Sequence, residues 1–431
     1  MTQVKEPVIL DKTGERIAEG VAAIVRALSR DSYTCYAFHI NGNESDPASM
    51  VTYLKDAEGL TPASMNFSAG SFSWGSWRDA FFIPRPCMLL QTGSVDYYLD
   101  EDNYALKADG VTASDIENTA YAGNAMMEWG RNGKKIWYKI VPDSGDDSSA
   151  TVYIADEQLD DSYHDWSFIN NQGKQVDHFY TPIFNGSVID NVMRSLSGQT
   201  VGKSLNGSTE LTYAKANNKD SNMCWNTEVF ADRILLTLLG VLMFKTTDIP
   251  TALGQGIISG GETAFNNYKT GALNTAGLFY GYNDTVHAVK FFGMENFWGL
   301  QWRRTAGLMN VSGAIKYKLT NGTEDGSTAT AYNTTGDGFI DAGATMSGTS
   351  GGYISKMKYL ASVFIAVVMS GSSSTYYCDG GWFNNGQTDY ALFGGAAGYG
   401  VPCGPFCVSL SSTVGLAWWI YGAAVSFKPL A

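Results

Sequence analysis

Three observations in this 431-residue chain predict an α+β fold. The stretch from about Thr227 to Phe244 is apolar almost all round at helical spacing, which only a buried helix accommodates. Short runs alternating in polarity and rich in aromatic residues fill 32–112 and recur after Thr246, as short strands do. Glycine outnumbers proline 48 to 11 and aromatic residues make up 13% of the chain. That combination favours long turns held by aromatic packing.

Taken in order, Ile17, Val21, Ile24 and Leu28 recur at steps of four, three and four, the seam of an amphipathic helix within 1–30. Two heptads serve equally well for a helix docked on its own domain and for a small self-association bundle. TCYAFHI, SMVTYL, GSWRDAFFI and VDYYLDEDNY then read as strands and turns of a small β-rich domain over 31–115. DSGDDSSA at 143–150 reads as an exposed loop. Val188, Val192, Met193 and Leu196 share a face at helical spacing, predicting a helix over 188–196. Thr227 stands where it would cap a second helix running to Phe244, with Ile234, Leu235, Leu238, Leu239, Leu242 and Met243 inside it. After Thr246 the chain is mostly Gly-rich turns and short aromatic strands, and helices followed by a long irregular β-rich half point to α+β with extensive loops.

Composition narrows the partners. A net charge of −13 and an isoelectric point near 4.8 repel phosphate backbones and anionic membrane surfaces, which argues against nucleic acid and membrane partners. The longest apolar run, Ile234 to Phe244, is far short of the roughly 20 residues a membrane helix needs. His39, His164, His178 and His287 stand singly, without ligand spacing. Six cysteines are too sparse for a disulfide framework, and the opening MTQVKEPVILDKTGER is charged and polar, so synthesis in a reducing cytoplasm is expected.

FFGMENFWGLQWRRTAGL, at 291–308, reads as a strand, a tight turn at Trp298-Gly299 and a second strand carrying Trp302. The motif resembles the GNVWEW turn of the formylglycine-generating-enzyme type of C-type lectin-like fold. GNAMMEW (123–129), IWYKI (136–140), SYHDWSF (162–168), the segment 176–200 and TTDIPTALGQG (246–256) follow in the order of phage relatives of that fold. TSGGYIS (349–355), SGSSSTYYCDGGWFNN (370–385) and ALFGG (391–395) resemble the variable proteins of diversity-generating retroelements. The resemblance implies a C-type lectin-like domain of two helices, short twisted strands and long loops over 116–431, preceded by the small β-rich region and the N-terminal helix. It also implies a receptor-binding protein of a phage or prophage tail, located in the virion, and a homotrimer by analogy with the tropism determinant of such a phage. Its partners would be a host cell-surface protein or glycan and other tail proteins.

In that family a reverse transcriptase randomises template adenines, so asparagine codons are replaced. From Ala391 onward this chain holds no Asn, Asp, Glu or His, and Lys428 is its one charge. Within a variable region of about 380–428, the expected ligand contacts are Gly381, Thr388, Asp389, Ala396, Ala397, Tyr399, Val401, Pro402, Ser411, Leu416, Ala417 and Ile420. The expected frame is Gly394, Gly395, Phe406, Val408, Leu410, Trp419, Gly422, Val425 and Lys428, with Trp418 beside them. Short loops on a rigid support change side chains without refolding and bind with little ordering cost. The competing reading of the tail is a buried Gly/Ala-rich strand pair.

Two other readings stay open. Cys403 and Cys407, spaced C-x-x-x-C, invite comparison with the copper-dependent formylglycine-generating oxidoreductases, although the spacing departs from that family's and the Arg-rich segment is missing. A purely structural tail protein is the other. TTGDGFIDAGA (334–344) places Asp337 and Asp341 near glycines without the oxygen spacing of an EF-hand, so no cofactor is expected, calcium being the one candidate. No nucleophile elbow or phosphate loop occurs, and the expectation is a protein that binds and does not catalyse.

Overall fold

A computed structural model describes residues 33–219, 224–319 and 332–430. The helix expected within 1–30 lies outside the described residues. Among the described residues strands account for 34% and helices for 11%, with four α-helices and a large curled sheet. The protein is therefore predominantly β, and the expected α+β, C-type lectin-like class is corrected. Part of that expectation rested on the 188–196 helix. Ser187–Ile189 and Val192–Arg194 instead pair as a hairpin, Val188 opposite Met193. Asp190 and Asn191, at φ 51° and 62°, supply the two left-handed residues a tight two-residue turn requires. Spacing by four suits either element, and the Asp-Asn turn decides.

Three sheets carry the architecture. In the first, Val51–Lys55, Cys35–Ile40, Asp146–Ala155 and Trp137–Asp143 lie side by side. The second orders Trp225–Thr227, Val425–Phe427, Phe179–Pro182, Gly123–Trp129, Arg85–Leu90 and Val95–Tyr98. The third runs from Ile340–Asp341 through Ala314–Tyr317, Trp302–Val311, Thr388–Phe393, Val408–Leu410, Gly380–Phe383 and Gly352–Tyr359 to Phe364–Met369 and Ser347–Gly348, with Tyr421–Gly422 parallel to Trp302–Val311.

The boundary expected at 115/116 runs through shared sheets. Cys35–Ile40 pairs antiparallel with Asp146–Ala155, and Arg85–Leu90 pairs with Gly123–Trp129. One apolar core extends from Phe38 to Leu410. The acidic segment 143–150 is a hairpin and not a free loop: Asp143 pairs with Asp146, and Ser148, Ser149 and Ala150 are buried. The Asp146 carboxylate accepts from both serine hydroxyls. Residues 75–83, expected as strand, form turns around the buried Trp77.

The second predicted helix is present as Phe230–Phe244, and all fifteen of its residues are buried. Thr227 lies in the Trp225–Thr227 strand, and Val229 takes the cap position. Two charged side chains enter the core on this helix, and each has partners, as burial demands. Asp232 receives Lys428 Nζ at 3.0 Å, which fastens the last strand to the helix. Arg233 stacks on Phe297 at 3.7 Å and donates to the Phe297 carbonyl at 2.9 Å and the Pro405 carbonyl at 3.2 Å. Burial pushes its guanidinium down to about 9. One side chain thus ties the central helix to the Trp298-Gly299 bend and to the segment between the two C-terminal cysteines.

Candidate functional site

The C-terminal third closes over a second, smaller apolar cluster made by Val201, Ile257, Phe265, Leu300, Trp302, Leu392, Ala396, Ala397, Trp419 and Ile420 among others. The first of two loops, before Cys403, lies on this cluster; the second, before Trp419, lies beside it and packs Val414 on a neighbouring cluster that includes Leu211, Tyr332 and Tyr390. Their backbones are held at many points and several of their side chains are not covered.

Gly299, at φ 77°, donates to the Gly394 carbonyl at 2.9 Å, and Gly394 donates to the Cys407 carbonyl at 3.0 Å. From this ladder the first loop is suspended: Ala397 donates to Leu300, and both Gly398 and Gly400 donate to Ile258. Its aromatic member, Tyr399, sits edge-on to Trp302 at 5.3 Å and to Trp382 at 5.4 Å, and the two indoles meet each other at 5.3 Å. Such edge-to-face pairs contribute roughly 0.5–1.5 kcal/mol each beyond their buried area.

The second loop is held through its carbonyls. Gly207 donates to Val414 at 2.9 Å and Ser204 to Trp418 at 3.2 Å. Arg304 Nη2 reaches the Leu416 carbonyl at 3.2 Å. Gln301 Nε2 faces the carbonyls of Gly202, Trp419 and Tyr421, each at 2.9 Å. A loop fixed by its main chain leaves its side chains free to vary.

No protein-family model matches the chain, and no curated protein matches it. The placement of the twelve expected contacts therefore rests on geometry. Val401 is 46% and Leu416 44% exposed, and Ala417 is exposed beside them. Thr388, Tyr399, Pro402 and Ser411 are half-buried.

Five expected contacts are corrected. Ala396, Ala397 and Ile420 are sealed in the small cluster. Asp389 is 1% exposed on a strand opposite Asn310. Gly381 is buried, and a Cβ there would stand 2.2 Å from the Met369 sulfur, so a larger side chain would have to displace the Met369 side chain and would still face the interior. Trp418, expected in the frame, is 57% exposed and belongs to the surface. Gly394, Gly395, Phe406, Val408, Leu410, Trp419, Gly422, Val425 and Lys428 are all buried. Sequence reasoning missed Gln301 and Arg304, whose roles depend on carbonyls far along the chain. It also missed Tyr421, half-buried with its hydroxyl 3.2 Å from Ser412 Oγ.

Cys403 and Cys407 are free and wholly buried, and burial pushes both thiols up. Protonated, enclosed thiols are poor nucleophiles and poor ligands. Asp341 accepts from the Gly343 N–H at 2.8 Å, and the Asp337 carbonyl accepts from Asn333. Among the described residues no three His, Cys, Asp or Glu side chains gather as a metal site. None of the described helices is long and apolar enough to cross a membrane.

Proposed function

We propose that this chain is a ligand-binding protein of a phage or prophage tail, displaying at its C-terminal loops side chains diversified by a retroelement. It is made in the bacterial cytoplasm, carried in the virion, and binds a host cell-surface protein or glycan without catalysing a reaction. The displayed set is Tyr399, Val401, Pro402, Ser411, Leu416, Ala417 and Trp418, with Thr388 and Trp382 at its margin.

One observation carries the reading. Among the described residues, eight large apolar side chains are well exposed, and Val401, Leu416 and Trp418 are three of them, within eighteen residues of sequence. Exposed apolar side chains on neighbouring stretches of chain are what an interaction surface requires, and aromatic anchors such as Trp418 dominate binding energy at such surfaces. The same segment lacks the asparagines frequent upstream, as replacement of asparagine codons would leave it. The support beneath is stiff, so little conformational entropy is lost on binding.

Sequencing the genomic neighbourhood tests the proposal. A near-copy of the codons for 380–428 beside a reverse-transcriptase gene, differing at adenines and including codons 401, 416 and 417, is the expected result. A neighbourhood without such a copy, in a chain whose 401–418 codons are invariant among isolates, would overturn it.

A further inference from the structure

Away from the C-terminal loops, and independent of that reading, an open cleft of about 360 Å³ lies between the 70–78 segment and the 275–280 segment, with Asp102 at its rim. No residue of 380–428 lines it. Its volume is near the lower end of small-ligand sites, which span about 300–1,000 Å³.

The walls are preformed. Phe72 stacks on Phe279 at 5.0 Å, and Trp74 meets both rings edge-on at 5.3 Å. Phe279 is buried against Phe291 and Phe292 of the main core. Along the same 275–280 segment, Tyr280 exchanges two backbone hydrogen bonds with Lys290, and Gly293 donates to the Leu278 carbonyl. Rings anchored in this way keep their positions when the cleft is empty or filled.

The lining chemistry selects a ligand class. Trp74 and Tyr280 are half-buried and present apolar ring surface with polar tips. Arg78 lies 4.8 Å from the Trp74 ring centre and 3.6 Å from the Glu101 carboxylate. Asp102 is exposed and adds a second acceptor. The Arg78 guanidinium faces the Glu101 carboxylate, which also pairs with Arg131 at 3.0 Å, and Asp102 supplies a second carboxylate, so cations and carboxylates are matched in number around the cleft and neither an anionic nor a cationic ligand is favoured. What it does offer is aromatic surface beside a planar donor and a planar acceptor. That combination fits a neutral polyhydroxylated ring, whose C–H face packs on an arene while its hydroxyl edge takes and gives hydrogen bonds. We propose that this cleft is a binding site for a saccharide unit.

The test uses the full chain and four free monosaccharides: glucose, galactose, mannose and N-acetylglucosamine. The indole N–H resonance of Trp74, assigned by its loss in Trp74→Ala, is followed during each titration. At least one sugar is expected to shift it saturably in the millimolar range, and Asp102→Asn is expected to weaken that binding at least tenfold. Trp418→Ser, on the other surface, leaves the titration unchanged. If Trp74→Ala fails to fold, the milder Trp74→Phe assigns the resonance, and Asp102→Asn, whose carboxylate is solvent-facing, remains the test of the site. Absence of a saturable shift with all four sugars, binding that survives Asp102→Asn, or binding that disappears with Trp418→Ser would each overturn the proposal.

Discussion

Arg304 donates through Nε to Glu210 at 2.6 Å with both side chains sealed from solvent, and the same guanidinium reaches the carbonyl of the exposed Leu416. The pair joins the Gly207–Lys215 helix, the central Trp302–Val311 strand and the C-terminal loop at one point. Removing one member leaves the other buried and unpaired, which typically costs about 3–5 kcal/mol. Arg304→Met should lower the urea midpoint accordingly and increase proteolytic cleavage within 413–418. The double variant Arg304→Met with Glu210→Leu should recover most of the stability and little of the cleavage resistance, since the Leu416 carbonyl remains without its donor.

Exposed and sealed members of the C-terminal segment should separate cleanly. Leu416→Ser and Trp418→Ser are expected to change stability within about ±0.5 kcal/mol, as surface changes do. Ile420→Ser, in the small cluster, should cost on the order of 2–5 kcal/mol. Thermal unfolding of the three variants checks this, and equal losses would show that the loop side chains are structural. Tyr399→Ser should lie between, because its ring packs on Trp302 and Trp382.

Asp389 gives a pH signature. Burial pushes its carboxyl up to about 6, opposed by the Gln387 amide. The folded state therefore prefers the protonated form. Stabilisation from this proton is complete below the ordinary carboxylate range, near pH 4, and is lost as pH rises through about 6. Asp389→Asn keeps the shape and removes the charge, so it should stabilise the protein at neutral pH by up to about 3 kcal/mol and flatten its stability between about pH 4 and 6. Chemical denaturation across that range checks the sign. A variant less stable than the parent at pH 7 would contradict it.

Gly395 has no room for a side chain. Its φ is +79°, and a Cβ would meet the Cys403 sulfur at 2.2 Å. Gly395→Ala should destabilise by roughly 1–3 kcal/mol from overpacking and by about 1–2 kcal/mol more from the left-handed backbone. Calorimetry should show the melting temperature fall with no change in the exposed loops' susceptibility to protease until unfolding begins.

The legible parts of the chain were those where a physical requirement leaves one solution. A run apolar on every side, Ile234 to Phe244, can only be a buried helix. The strand-turn-strand expected across 291–308 was legible in part: Trp302–Val311 is a strand, but the tight hairpin turn falls at Phe292-Gly293, and 297–301 around Trp298-Gly299 is an irregular buried bend. Where spacing fits two elements, as at Val188 to Leu196, the local turn residues were the better signal, and the fold class was misjudged with them. Small residues were the least legible. Ala396 and Ala417 look alike in sequence, yet one is sealed and the other exposed, because which way a loop faces depends on Gln301, Arg304 and Ile258, far away along the chain.

The central claim is that a stiff frame carries side chains free to vary. Two libraries, one randomised at Val401, Pro402, Leu416, Ala417 and Trp418 and the other at Ala396, Ala397, Phe406 and Ile420, should be scored for resistance to protease. The account predicts that most members of the first remain folded and few of the second do. Equal survival of the two libraries would contradict it.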